Sequence, residues 1–200
     1  VVPPEILTIL PLITGFKQSL PMKNDLIYHN EIVDSILNTH SSALGSDHEQ
    51  YRNHVYRVLN FALPLVDDAK ENETMMIAAA FHDLGIWTNR TFDYLQPSVN
   101  LAKRYSADHQ LSRETDEAIE SIILNHHKIF RFRGPALTEI FRQADLVDLS
   151  LGLIRCGRSR DDIRRVRKVF PNKGFHRNLT RLFLKNLFRT PWKPLPMYRF

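Results

Sequence analysis

AAAFHDLGIW, residues 78–87, closes an apolar helical run with an imidazole and a carboxylate side by side. His82 follows Ala78 and Ala79 by four and three positions, so it shares their buried face. Asp83 falls in the last turn, where the helix dipole is already negative and a further carboxylate is disfavoured. Burying that charge without a partner is costly. A bound cation resolves both conflicts, because neutral imidazole and carboxylate are metal ligands and the ion supplies the missing positive charge. Two neighbouring ligands cannot enclose an ion, so the reading demands others from elsewhere in the chain.

The chain offers them on other helices. His54 lies four residues before Val58, at the edge of a stripe formed by Tyr51, Val55, Val58 and Ala62. Asp145 follows Phe141 by four and adjoins Ala144, and His126 follows Ile122 by four with His127 beside it. Apolar spacing is helical almost everywhere and no strand signal stands out, so the expected fold class is all-α. Helices are expected over Asp25–Thr39, from a Ser46/Glu49 capping box to Pro64, and from about Glu73 to Gly85 as a C-terminal glycine. Further helices are expected from Pro97 to Tyr105, from a Ser112 cap to His127, and from Pro135 through Leu151.

In the order His54, His82-Asp83, Asp145 the chain resembles the HD-domain superfamily of metal-dependent phosphohydrolases, with its H…HD…D pattern. YRNHVYRVLNFA looks like the first-histidine helix of that family, AAAFHDLG like its HD element, ESIILNHH like the segment that adds a histidine, and FRQADLVD like its final-aspartate helix. The resemblance spans about residues 46–151. It implies an HD-type helical bundle with one divalent ion (Mn, Co, Ni, Fe, Zn or Mg) held by His54, His82, Asp83 and Asp145. It also implies a phosphohydrolase acting by metal-activated water on a phosphate ester of a nucleotide or small phosphorylated metabolite. Beside this centre Asp83, His126 and Lys128 are expected in catalytic roles. Arg57, Arg131 and Arg133 are expected to hold phosphate, and Asp148, one turn past Asp145, to orient a ligand or close a salt bridge. Family members with two metals add two histidines before the final aspartate. Here Gln96 stands where the first is expected and His109 lies in the polar stretch SADHQLS, which favours one ion over a dinuclear iron oxygenase site.

Two hundred residues suit a single domain. The expected division is an N-terminal arm over residues 1–24, an HD-type domain over 25–154 and a basic, partly helical extension over 155–200 packed on the same domain. Residues 1–154 carry 13 Lys and Arg against 20 Asp and Glu, whereas residues 155–200 carry 14 against 2. That asymmetry suggests an anionic partner for the extension: a phosphorylated substrate, nucleic acid, an anionic membrane surface, or the acidic body itself. A non-catalytic binding or regulatory module using the basic tail is therefore the competing functional class. Within the tail, HRNLTRLFLKNLFR puts Leu179, Leu182, Phe183 and Leu187 on one helical face and Arg177, Arg181, Lys185 and Arg189 on another. The closing PWKPLPMYRF is too rich in proline for a helix. No apolar run reaches the roughly 18 residues of a membrane span. Val1–Leu20, broken by Pro3, Pro4 and Pro11, reads as neither signal peptide nor anchor, and the lone Cys156 favours a reducing, cytoplasmic setting.

Overall fold

Asn60 turns its side-chain amide on Ile27, accepting from its N–H at 2.9 Å and donating to its carbonyl at 3.0 Å, while Asn30 donates its backbone N–H to the Tyr56 hydroxyl. These bonds hold residues 25–30 extended, so the first helix, α1 (Glu31–Thr39), starts six residues later than expected, at an Asn30 cap on Val33 N. The computed structural model describes residues 25–189, 191–192 and 196–197. The expected N-terminal arm, residues 1–24, lies outside them.

The polar stretch HSSALGSD, residues 40–47, forms a helical turn, α2 (Ser41–Leu44), and a 3-10 turn, Gly45–Asp47. α3 (His48–Ala62) follows, and the Ser46/Glu49 capping box does not form. Asp47 occupies the cap position without bonding the helix, because its carboxylate instead accepts from Trp87 Nε1 and Asn178 Nδ2, each at 2.9 Å. Pro64 ends the helix as expected, in the 3-10 turn Leu63–Leu65. α3 is the axis of the molecule: from Gln50 to Ala62 every residue but Arg52 is buried.

α4 (Ala69–Phe81) starts at an Asp68 cap on Glu71 N and ends before His82, with a turn over residues 82–84 leading into the short α5 (Gly85–Thr88). Gly85 is thus not a left-handed helix terminus. Its requirement is space: a Cβ there would lie 2.6 Å from the Tyr94 carbonyl oxygen and 2.9 Å from Ser98 N, so only glycine lets the HD turn lie against the next helix. α6 (Leu95–Asp108) and α7 (Arg113–Asn125) follow, the latter capped by Ser112 as expected. α8 (Ala136–Leu149) opens after Pro135 and packs along α3. It stops short of Leu151, which is exposed, because Gly152 (φ +82°) turns the chain back with its N–H on the Val147 carbonyl.

The basic extension forms α9 (Arg160–Val169), which had no separate signal in the sequence, and α10 (Phe175–Arg189) on the predicted amphipathic run. Both lie against α3. Arg158 is buried at the end of α3, donating from Nε and Nη2 to the Phe61 carbonyl and from Nη1 to Cys156 O. Burial lowers its pKa to about 10. Leu179, Leu182, Phe183 and Leu187 are half-buried while Arg177, Arg181 and Lys185 are exposed, matching the expected faces. The fold is all-α, with no strand among the described residues. Among the described residues no helix is long and apolar enough to cross a membrane.

Candidate metal centre

Two helix ends and two helix middles meet at one point. His54 comes from the centre of α3, His82 and Asp83 from the turn after α4, His126 from the end of α7 and Asp145 from the third turn of α8. All five side chains are buried. His54 Nε2 lies 3.0 Å from His82 Nε2, 3.5 Å from Asp145 Oδ1 and 3.7 Å from Asp83 Oδ2. Asp83 Oδ2 is 3.4 Å from His82 Nε2, and its Oδ1 is 3.4 Å from His126 Nε2.

The second nitrogen of each histidine fixes what the first can do. His82 Nδ1 donates to Ala79 O at 2.7 Å and His126 Nδ1 to Ile123 O at 2.8 Å, both to the preceding turn of their own helices. His54 Nδ1 donates to Asp148 Oδ2 at 2.7 Å. With the protons on Nδ1, the Nε2 lone pairs of His54 and His82 face each other with nothing between them to share. Asp83 Oδ1, Asp145 Oδ1 and His126 Nε2 also lack any hydrogen-bond partner, although all three are buried. Buried polar atoms left in this state are costly and rare. A cation between the His54 and His82 Nε2 atoms and the Asp83 and Asp145 carboxylates would give those atoms a partner, and the Nδ1 bonds are of the kind that orient metal-ligating histidines. The residues therefore fit a divalent ion, with mixed imidazole and carboxylate donors suited to Mn, Fe, Co, Ni or Zn.

Electrostatics agree. Burial pushes the His82 pKa down to about 3, so its imidazole is neutral and ready to donate a lone pair. Burial also raises the Asp145 carboxyl to about 7 against the pull of His126 and His54, with Asp83 and Asp148 adding repulsion. Asp83 is held well below the carboxylate range, since His82, His126 and His54 outweigh its desolvation. Without the ion, two carboxylates this close compete for a proton.

A protein-family model for the HD domain matches residues 51–149. This chain carries an HD domain. The match begins within α3, ends with α8 and takes in all five converging side chains, and HD domains bind divalent metals through a cluster of this His/Asp kind. No curated protein matches the chain.

The remaining sequence-derived residues are placed unequally around the HD centre. Arg57 is buried rather than presented to an opening. Its Nε and Nη2 bond Asp148 Oδ1 and Oδ2 at 2.6 and 2.9 Å, and its Nη1 donates to Phe170 O at 3.0 Å. Asp148 in turn holds His54, so Arg57 acts on the centre through two intermediaries. Lys128 is half-buried two residues past His126, its carbonyl accepting from Arg142 Nη1, and Arg131 and Arg133 are exposed farther along the same loop. Gln96 is exposed and bonds Asn100, and His109 is exposed and stacks on Tyr105, so neither approaches the centre. His127 hydrogen-bonds the Tyr94 hydroxyl and also offers a ligand atom within 4.8 Å of those of His126 and Asp145.

Several participants had no usable signal in the sequence. Phe175, the first residue of α10, stacks on the His54 ring at 4.1 Å. His176 donates from Nε2 to the Asp148 carbonyl at 3.0 Å. Tyr51 braces the HD turn, donating its hydroxyl to Ala80 O and accepting from Asp83 N. Part of the basic tail folds back on the acidic body, with Lys173 on Glu49 and Arg165 on Asp25. Other cations remain outward: Arg155, Arg160, Arg164 and Lys168 line an open groove of about 740 Å³ with the exposed Leu151 and Leu153.

Proposed function

We propose that the chain is a metal-dependent phosphohydrolase acting on a nucleotide or a small phosphorylated metabolite. The observation that carries the reading is the convergence of Asp83 Oδ1, Asp145 Oδ1 and His126 Nε2, buried and without hydrogen-bond partners, on the facing Nε2 atoms of His54 and His82. His54, His82, Asp83 and Asp145 would hold the ion. When bound, a divalent ion supplies Lewis acidity, which makes water nucleophilic at neutral pH and draws charge from a phosphoryl oxygen.

The side chains do the rest. Asp83 Oδ1 faces His126 Nε2, so the pair can take a proton from an attacking water and return it to a leaving oxygen. Asp83 and Asp145 raise the His126 pKa above its ordinary value, against the opposing effect of its burial. Lys128, Arg131 and Arg133 sit on the loop leaving His126, where their charge favours a phosphoryl group over a neutral ligand. Arg57 is a positioning residue, fixing Asp148 and through it the tautomer of His54.

Metal analysis and a phosphate-release assay test the reading together. About one equivalent of ion per chain, with phosphate released from some nucleotide or sugar phosphate, supports it. Full loading with no turnover on any phosphorylated compound favours a binding module instead, a reading supported by the cationic groove along α9. Salt-sensitive capture of a polyanion would mark that outcome. Two irons per chain favour a dinuclear site that recruits His127.

A further inference from the structure

A second cavity, of about 290 Å³, lies between α10 and the segment that follows the HD turn. Arg181 and Lys185 of α10 form one wall and Arg90 the other, with Trp87 and Phe92 contributing aromatic surface. Arg181 and Lys185 are one helical turn apart, so their heads lie on the same face about 6 Å apart along the axis. All three cations are exposed, and among the described residues none is paired with a carboxylate. Asp47 also lines the cavity, but its Oδ2 is occupied by Trp87 Nε1 and Asn178 Nδ2, which fixes the indole and ties α10 to the floor. Three cations against one engaged carboxylate leave a positive site. Arg90 holds a left-handed backbone conformation (φ 51°), as Gln110, Leu151, Cys156 and Lys173 also do.

The cavity is separate from the metal centre. Tyr51, fully buried, stands between them, its ring 4.7 Å from Trp87 on one side and 6.3 and 6.1 Å from His54 and His82 on the other. Its size is at the lower end of small-molecule pockets, that of a single ring plus a phosphate. We propose that this cavity binds a phosphorylated small molecule with an aromatic ring, of nucleoside monophosphate size, as a second site independent of the metal. The phosphate lies between Arg90, Arg181 and Lys185, and the ring against Trp87 and Phe92. Such a ligand clamps α10 to the body and with it Phe175 on His54, which links occupancy of the cavity to the cover over the centre. The inference does not rest on the hydrolase reading.

Trp192→Phe leaves Trp87 as the sole tryptophan and as the reporter. In that protein, kept in EDTA, the common nucleoside monophosphates are titrated beside their nucleosides and inorganic phosphate. At least one monophosphate is expected to change Trp87 emission saturably, about tenfold or more tighter than either half alone. Arg181→Glu with Lys185→Glu, and separately Arg90→Asn, should each weaken that binding about tenfold or more while metal content in metal-replete buffer is unchanged. Asparagine tolerates left-handed backbone and position 90 lies outside α10, so its effect is not one of helix docking. No saturable change with any monophosphate, binding that requires the metal, or unaltered binding in Arg90→Asn overturns the proposal.

Discussion

Arg57 grips Asp148 with two hydrogen bonds, and the oxygen taken by its Nη2 is the one that also receives the proton of His54. The guanidinium, the carboxylate and the imidazole are all buried. The chain of contacts sets a buried ion pair behind His54, the first of the proposed metal ligands.

Removing the cation from that chain leaves a charge uncompensated in the interior. Arg57→Ala should destabilise the fold by about 3–5 kcal/mol, as breaking buried pairs does. Arg57→Lys should recover only part, since an ammonium cannot fork onto both oxygens and still reach Phe170 O. Urea denaturation of the metal-free protein measures both.

Asp83→Ala should abolish stoichiometric metal binding while helical circular dichroism persists, because the side chain bonds nothing but the centre. Full metal content in the variant would show that the ion sits elsewhere.

Metal affinity should fall as pH drops below about 7. Asp145, raised to about 7 by burial, is protonated below that pH in the metal-free protein and must lose its proton to coordinate. Each unit of acidification should then cost up to about tenfold in affinity per proton released. For stability the sign is opposite. Between about 4 and 7 the folded metal-free state holds this proton and the unfolded chain does not, so the contribution from Asp145 declines as pH rises through that window. Titration calorimetry in buffers of different protonation enthalpy detects the released proton.

Gly85→Ala should cost about 1–3 kcal/mol. The added methyl meets backbone atoms of Tyr94 and Ser98, which cannot swing aside, and pushes on the turn that carries His82 and Asp83. A lowered Tm together with weaker metal retention is the expected pair of effects.

The residues that converge on the candidate centre were legible in the sequence because each broke a local rule. An ionisable group on an apolar helical face, as at His54, Asp145 and His126, is visible without any knowledge of contacts. Arg57 misled for the same reason that it matters: its spacing from His54 put it near the centre, but only the fold shows that Asp148 and two loop carbonyls consume its donors. Phe175 and His176 sit in an amphipathic run whose pattern says that a face is covered, not what it covers. Gly85 is the subtler case, since a glycine after a helix looks like a terminus, and the close approach of α6 that requires it is a tertiary fact.

Phe175 over His54, and the Phe170 carbonyl on Arg57, come from the segment beyond the matched HD residues 51–149. What is recognisable as ancestry and what is sufficient as a machine thus have different boundaries in this chain. A fragment ending with α8 would keep every proposed ligand and yet expose one face of the first histidine to water, leaving the buried arginine short of an acceptor. The basic extension is in this sense a wall of the proposed metal chamber, and changes to it are expected to register first in the chemistry of an ion that it would never touch.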